Sequence, residues 1–409
     1  MLRGAATSLL LCACSIPAID LSGKSCPCPS PYVCDPSTNT CALGSSRDAQ
    51  TDASLSTCAI DVSAHTSNTC VIRSDGTLWC TGQNNRGQLG IGTTMDTSGF
   101  VQVMIVAGVK QIAMGSQNIF ALDDHGVVWA WGAGERGALG DGMLADTATP
   151  QVVPMLPRMS RITAGESHVC AVDAFGNLYC WGWNTNGQIG NGMTVDQPTP
   201  AQIMSGVATV AAGGRRTCVI KKLDSSVWCW GKNTEGEVGD GTVTTPRTTP
   251  TKIPSFDAIE LAAGGHHACA RRADNTVWCW GRSTFGQMGN GSLSQQLSPA
   301  EVPGVSPMVV ALDAAGGRRT CAKLMSGEMM CWGETPFGVR AVAPPQTIDL
   351  PTSVPELANA TVVSTASDHT CAIMADKTLR CAGQNDKGQL GDGTKMPHFA
   401  FLPTTLPCP

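Results

Sequence analysis

Three adjacent pairs of cationic side chains, Arg215-Arg216, His266-His267 and Arg318-Arg319, recur at intervals of 51 and 52 residues. Guanidinium forks grip carboxylates and phosphates through paired hydrogen bonds, and imidazole gains charge near neutral pH. Brought together, the three pairs would form a receptor for an anionic ligand or an acidic protein surface. Trp183 stands one residue past a recurrent glycine, where other copies carry Gln83, Ala133, Lys232, Arg282, Glu334 and Gln384, so an exposed contact role is expected for it. The turns Asp141-Gly142, Asp240-Gly241 and Asp392-Gly393 offer one carboxylate each, short of the roughly six to eight oxygens calcium takes. The chain has no nucleophile elbow, phosphate loop or HExxH motif. No metal, cofactor or catalytic residue is therefore expected.

The elements that must position these residues are repeats. A strand-like segment closes on Gly82, Gly132, Gly182, Gly231, Gly281, Gly333 and Gly383, with steps of 50, 50, 49, 50, 52 and 50 residues. Such a period marks a repeat architecture, with residues 57–409 as one closed body. Each copy reads as short apolar runs broken by Gly, Asp-Gly and Asn-Gly, without sustained helical period. Four short strands fit the length, which predicts an all-β, seven-bladed β-propeller.

Cysteine spacing supports the strand pairing. Cys70 and Cys80, Cys170 and Cys180, Cys269 and Cys279, Cys321 and Cys331, and Cys371 and Cys381 each enclose nine residues. That count centres a hairpin on a three-residue loop and sets the cysteines opposite each other, within disulfide reach. Cys218 and Cys229 enclose one residue more, which predicts a bulge or longer turn near Asp224 to Ser226. The second copy has Phe120 and Ala130 in these positions, an apolar pair in place of the crosslink. Cys58 and Cys408 reach nearly the same point of the repeat from opposite ends. A Cys58 to Cys408 disulfide is expected to clasp the ring, with the last blade completed by strands from both ends. The tryptophans beside the hairpin cysteines, among them Trp129, Trp131, Trp181, Trp228, Trp230, Trp278, Trp280 and Trp332, read as inter-blade core rather than sugar platforms.

The segment Trp181-Gly182-Trp183-Asn184-Thr185-Asn186-Gly187-Gln188-Ile189-Gly190-Asn191-Gly192, echoed after Gly82 and Gly383, resembles the regulator of chromosome condensation repeat. The resemblance covers roughly residues 57–409 and implies a seven-bladed propeller. It also implies that a polar residue two positions before the first hairpin cysteine bonds the backbone of a neighbouring blade; here these are Asn68, Asn118, His168, Arg216, His267, Arg319 and His369. The eukaryotic family member acts on a nuclear GTPase through an inserted wedge and binds chromatin. No insertion of that size interrupts these copies, so exchange activity is not carried over. Copy six departs most, reading Trp332-Gly333-Glu334-Thr335-Pro336-Phe337-Gly338-Val339, which predicts a rebuilt turn.

Twenty cysteines without a CxxC pair point to disulfides and export. Residues 1–13 read as a signal peptide, and Leu11-Cys12-Ala13-Cys14 resembles the lipobox of bacterial lipoproteins, which makes Cys14 the lipidated residue. Residues 14–43 hold a small knot of Cys26, Cys28, Cys34 and Cys41, expected to form two disulfides of open pairing, and residues 44–56 read as a tether. A net charge of -5 argues against nucleic acid. The expectation is a monomeric, non-catalytic binding scaffold on the outer membrane or cell surface. It would take a protein or other extracellular ligand, with enzyme inhibition as one form. A glycan-cleaving enzyme working in the propeller funnel is the alternative. The loops after each Gly-x-Gly turn, such as residues 93–101 and 143–150, are the expected recognition surface.

Overall fold

Continuous apolar runs around the hairpin cysteines, such as Val169-Cys170-Ala171-Val172, make strands whose two faces are both buried. In the third copy Val169 pairs with Trp181, Cys170 with Cys180 and Ala171 with Tyr179, and all six residues of His168–Asp173 are buried. In the computed structural model, which describes residues 32–35, 40–43, 58–105, 108–305, 308–314, 317–335 and 346–408, this hairpin is the centre of a four-stranded antiparallel sheet. Seven such sheets form seven blades, each built from four strands consecutive in sequence. They span residues 59–103, 109–152, 159–204, 207–257, 260–301, 309–353 and 360–403. The innermost strands pack one against the next around the ring, and the last meets the first.

The outermost strands face water, and they are blunted as exposed edges need to be. Pro150, Pro198, Pro200, Pro250 and Pro299 all lie within them. Proline offers no amide to a foreign strand.

Two faces follow from the chain path. The turn between first and second strands and the long loop between third and fourth lie on one face, here the rim face. The hairpin between second and third strands and the links between blades lie on the other, the hairpin face. Disulfides join Cys70 to Cys80, Cys170 to Cys180, Cys218 to Cys229, Cys269 to Cys279, Cys321 to Cys331 and Cys371 to Cys381, each with Cα atoms 4.1 Å apart. Phe120 lies opposite Ala130, both buried, as the apolar substitute. The extra residue between Cys218 and Cys229 lengthens the turn, with Ser225 in the left-handed region at φ 55°.

Cys58 and Cys408 are bonded, with Cα atoms 5.8 Å apart. The expected strand exchange at the closure is corrected, however: blades 1 and 7 are each complete within their own sequence. The ring closes through side chains, a backbone hydrogen bond from the Gly393 amide to the Ser98 carbonyl at 2.9 Å, and one covalent bond. A separate unit, residues 1–55, contains a hairpin of Tyr32–Asp35 with Thr40–Leu43 that sets Cys34 opposite Cys41 in register. Cys14, Cys26 and Cys28 lie outside the described residues. Among the described residues no helix is long and apolar enough to cross a membrane.

Candidate functional site on the rim face

The six cationic residues divide strictly by alternation along the chain. Arg216, His267 and Arg319 begin second strands and are 1%, 0% and 2% exposed. Their expected role in a ligand-facing ring is corrected, because each points into the seam with the next blade. Arg216 donates to the carbonyls of Gly264 (3.1 Å) and His267. Arg319 donates to the Ala366 carbonyl (3.0 Å) and the Thr370 hydroxyl (2.9 Å). Burial lowers both guanidinium pKa values to about 10.

His168, His267 and His369 use the same seam position, with Nε2 at 3.0, 2.7 and 2.8 Å from the hydroxyls of Thr217, Thr320 and Thr69. Thr217 and Thr69 donate onward to the Gln188 and Gln389 carbonyls. Their histidine partners therefore donate from Nε2. Burial pushes the three imidazoles down to about 4, 3 and 3.

The seams are locked at a second level by the recurrent tryptophan. Trp131, Trp181, Trp230, Trp280 and Trp332 are wholly buried. Each indole N–H donates to a turn carbonyl of the preceding blade, at 2.8 to 3.1 Å. Gly190 shows why the turn needs glycine: its φ is +86°, and a Cβ there would lie 2.5 Å from the Trp230 ring nitrogen. Trp129, Trp228 and Trp278 belong to another class. They are half-buried, and their N–H groups bond within their own hairpins.

Arg215, His266 and Arg318 precede these buried positions and stay on the rim face, with 41%, 31% and 50% of their side chains exposed. Each has a carboxylate neighbour. Arg215 Nε lies 2.9 Å from Glu166, His266 Nδ1 4.0 Å from Glu237, and Arg318 3.2 Å from Glu334. Two also lie over aromatic rings. Trp183 is half-buried rather than exposed, with Arg215 at 4.3 Å and Arg136 at 4.9 Å from its ring centroids. Phe285 is flanked likewise by Arg318 at 4.4 Å and Arg282 at 5.7 Å. The rim is thus a belt of arginine-aromatic stacks and paired charges, not a bare cationic patch.

Glu166, Arg136, Arg282, Phe285 and Glu237 complete this belt and are not apparent from the spacing of the cationic pairs. Glu237 carried a signal, since it replaces the turn glutamine seen as Gln88, Gln188, Gln287 and Gln389. Burial would raise its carboxyl, but the facing His266 ring, the hydrogen bond from the Glu235 amide at 2.7 Å and the Lys232 charge outweigh burial and hold it near 2. Glu235, Glu237 and His266 bring ligand atoms within 4.8 Å of one another. Lys232 Nζ at 3.2 Å from Glu237 and Arg282 at 3.7 Å from Glu235 already supply the cations there.

The Asp-Gly turns are likewise engaged: Asp240 accepts from Thr242 and pairs with Arg247. Asp392 accepts from Thr394, and Asp141 accepts the Met143 amide.

The central channel encloses a cavity of about 240 Å³ between inner strands. Its polar side chains lace one blade to the next. Gln111 exchanges hydrogen bonds with the Ile162 backbone, Glu260 accepts the Leu312 amide at 3.1 Å, and Asp313 accepts the Thr365 amide at 2.8 Å. Asp61, also on an inner strand, is pushed up to about 6 by burial. Retaining or inverting glycoside cleavage takes a second carboxylate roughly 5 to 9.5 Å away. Glu260 and Asp313 are committed to blade lacing.

Comparison with known proteins agrees with this construction. Models of the regulator of chromosome condensation (RCC1) repeat match residues 75–122, 125–172, 176–220, 224–271 and 274–322, and a second form matches six segments between 59 and 389. That second form passes over blade 6, the divergent copy, altogether. Among solved structures, human WBSCR16 is similar at 18% identity and TM-score 0.71, covering 80% of this chain and 93% of its own. Prp20p from Saccharomyces cerevisiae is similar at 20% identity and TM-score 0.70, covering 87% and 89%. The yeast RCC1 protein in complex with Kap60 gives 19% and 0.70, covering 85% and 84%. With seven blades interlocked by the tryptophan and glycine of the repeat, and with repeat matches over more than half its length, the chain belongs to the regulator of chromosome condensation repeat family.

Proposed function

We propose that this chain is an exported, non-catalytic scaffold that binds a protein partner through its rim face, with enzyme inhibition as one form of that activity. The observation that carries the reading is the pair of arginine-aromatic stacks around Trp183 and Phe285. Arginine and tryptophan dominate the energetics of protein interfaces. Because each rim cation already neighbours a carboxylate, the surface suits a mixed-charge protein face better than a free anion. The yeast relative is described by its binding to Gsp1p and histones, and another structure holds yeast RCC1 with Kap60, which supports a protein-binding use of the architecture. Seven disulfides among the described residues favour an oxidising compartment. Export with a lipid on Cys14, at the outer membrane or cell surface and as a monomer, fits that setting.

Capture from surface and periplasmic extracts tests the binding reading. The Arg215→Ala/Arg318→Ala variant should lose its partner by about tenfold or more while melting as the parent does, since both residues are exposed. Capture undiminished by the double change would overturn the rim assignment. Mass spectrometry of the N-terminal peptide, with Cys14→Ser as control, tests the lipid.

A further inference from the structure

The hairpin face carries an asymmetry that rim binding does not use. In blades 1, 5 and 7 the hairpin apex is Asp75, Asp274 or Asp376, whose carboxylate caps the turn by accepting the amide and hydroxyl of Thr77, Thr276 or Thr378. Blade 3 puts Phe175 at this position, and the cap passes to Asp173, which accepts the Phe175 and Asn177 amides at 2.9 and 2.8 Å. Blade 4 keeps an aspartate cap, Asp224 to Ser226, and inserts its one extra residue before it. That insertion lifts Leu223 to the apex. Leu223 is 96% exposed and Phe175 86%, the highest values among the described large apolar side chains.

The two apices are neighbours. The Gly176 carbonyl accepts the Val207 amide at 2.9 Å, and the Gly206 carbonyl accepts the Lys222 amide at 2.8 Å. Lys222 Nζ reaches to 2.9 Å from where a Cβ on Gly176 would stand. Around them lie Lys221, Lys222, Lys252 and Arg272 against Asp224 and Asp257. The aspartates are already paired, with Lys252 at 3.4 Å and Arg272 at 2.7 Å. Lys221 and Lys222 have no ion-pair partner among the described residues. Both ends of the propeller also emerge on this face: the Ser74 amide of the blade 1 hairpin bonds the Cys58 carbonyl at 2.7 Å, and Cys58 is bonded to Cys408.

We infer that the hairpin face of blades 3 and 4 docks on an anionic lipid surface, Phe175 and Leu223 entering the interfacial layer while Lys221 and Lys222 meet phosphate head groups. Single apolar side chains raised on rigid tips beside lysines without a carboxylate partner, Lys221 donating to the Ser205 carbonyl, match a headgroup layer, where apolar burial and electrostatic attraction add. The inference stands apart from the rim assignment, which concerns the opposite face.

The test uses the full chain carrying Cys14→Ser, so that no lipid anchor contributes. It is sedimented with vesicles of mixed phosphatidylglycerol and phosphatidylcholine, and with phosphatidylcholine alone. The mixed vesicles should be bound, and Phe175→Ser/Leu223→Ser and Lys221→Ala/Lys222→Ala should each weaken binding by about tenfold. Leu223→Trp should retain binding and shift its fluorescence to the blue on mixed vesicles. Melting temperatures confirm that the variants fold. Absence of vesicle binding, equal binding by the serine variant, or self-association abolished by that variant, which would assign the tips to a second copy, overturns the proposal.

Discussion

The seam between blades 3 and 4 and the seam between blades 7 and 1 make the same joint from different parts. Between blades 3 and 4 the Trp230 indole enters the Gly190 turn and donates to Gln188, and His168 bonds Thr217. Between blades 7 and 1 the histidine bond is kept, His369 to Thr69, but Thr81 stands at the tryptophan position and donates to the Gly388 carbonyl at 2.9 Å. Phe100, from the outer strand of blade 1, fills the space against Gly391 instead. The Ala64 amide bonds Ser364 at 2.9 Å, and Cys58 to Cys408 is added. Neighbouring blades meet across a short stretch of chain, whereas the closing blades must bring together segments more than 300 residues apart. The covalent bond sits at the joint whose formation costs most chain entropy.

The largest expected effect therefore falls on that bond. Cys58→Ser/Cys408→Ser should lower stability by up to ~5 kcal/mol. Hydrogen exchange should rise first in blades 1 and 7. Equal loosening of all seven blades would remove the distinction between the seams. Next in size, Trp230→Ala and Phe100→Ala should each cost ~3–5 kcal/mol by chemical denaturation. In the disulfide-free background Phe100→Ala should do more damage than Trp230→Ala. Purely additive losses there would show that the clasp and the Phe100 packing are independent.

The smallest effect is shared by both seams and by the seam between blades 5 and 6. His168, His267 and His369 have folded pKa values pushed below the ordinary imidazole value, so the unfolded chain takes up protons first. Their contribution is whole above pH ~6.5 and fades as pH falls toward the folded values, about 1–2 kcal/mol each at pH 5. His168→Asn and His369→Asn, after Asn68 and Asn118 of blades 1 and 2, should flatten the fall in melting temperature between pH 7 and 4. An unchanged slope would place the acid sensitivity elsewhere.

The blade count, hairpins and disulfides were legible because each depends on residues about ten apart, within one repeated unit. The Cys58 to Cys408 bond was legible for the same reason, since both cysteines could be placed on the repeat. How the blades met was not. Arg215 and Arg216 are identical as letters, and only the pleat and the next blade's Gly264 and His267 carbonyls turn one outward and the other into the seam. Strand exchange at the closure was expected from the position of the ends, but position around a ring does not say whether a sheet borrows a strand. Trp183 looked exposed in the sequence because its neighbours Arg136 and Arg215 come from the copies on either side. The extra residue in the Cys218 to Cys229 hairpin was visible as a longer turn, yet that it raises Leu223 follows only from Asp224 keeping its cap.

The bond between Cys58 and Cys408 also sets how the molecule bears tension. A pull applied between the chain ahead of Cys58 and the carboxyl end passes through one sulfur bridge on the hairpin side, and the blades lie off the load path.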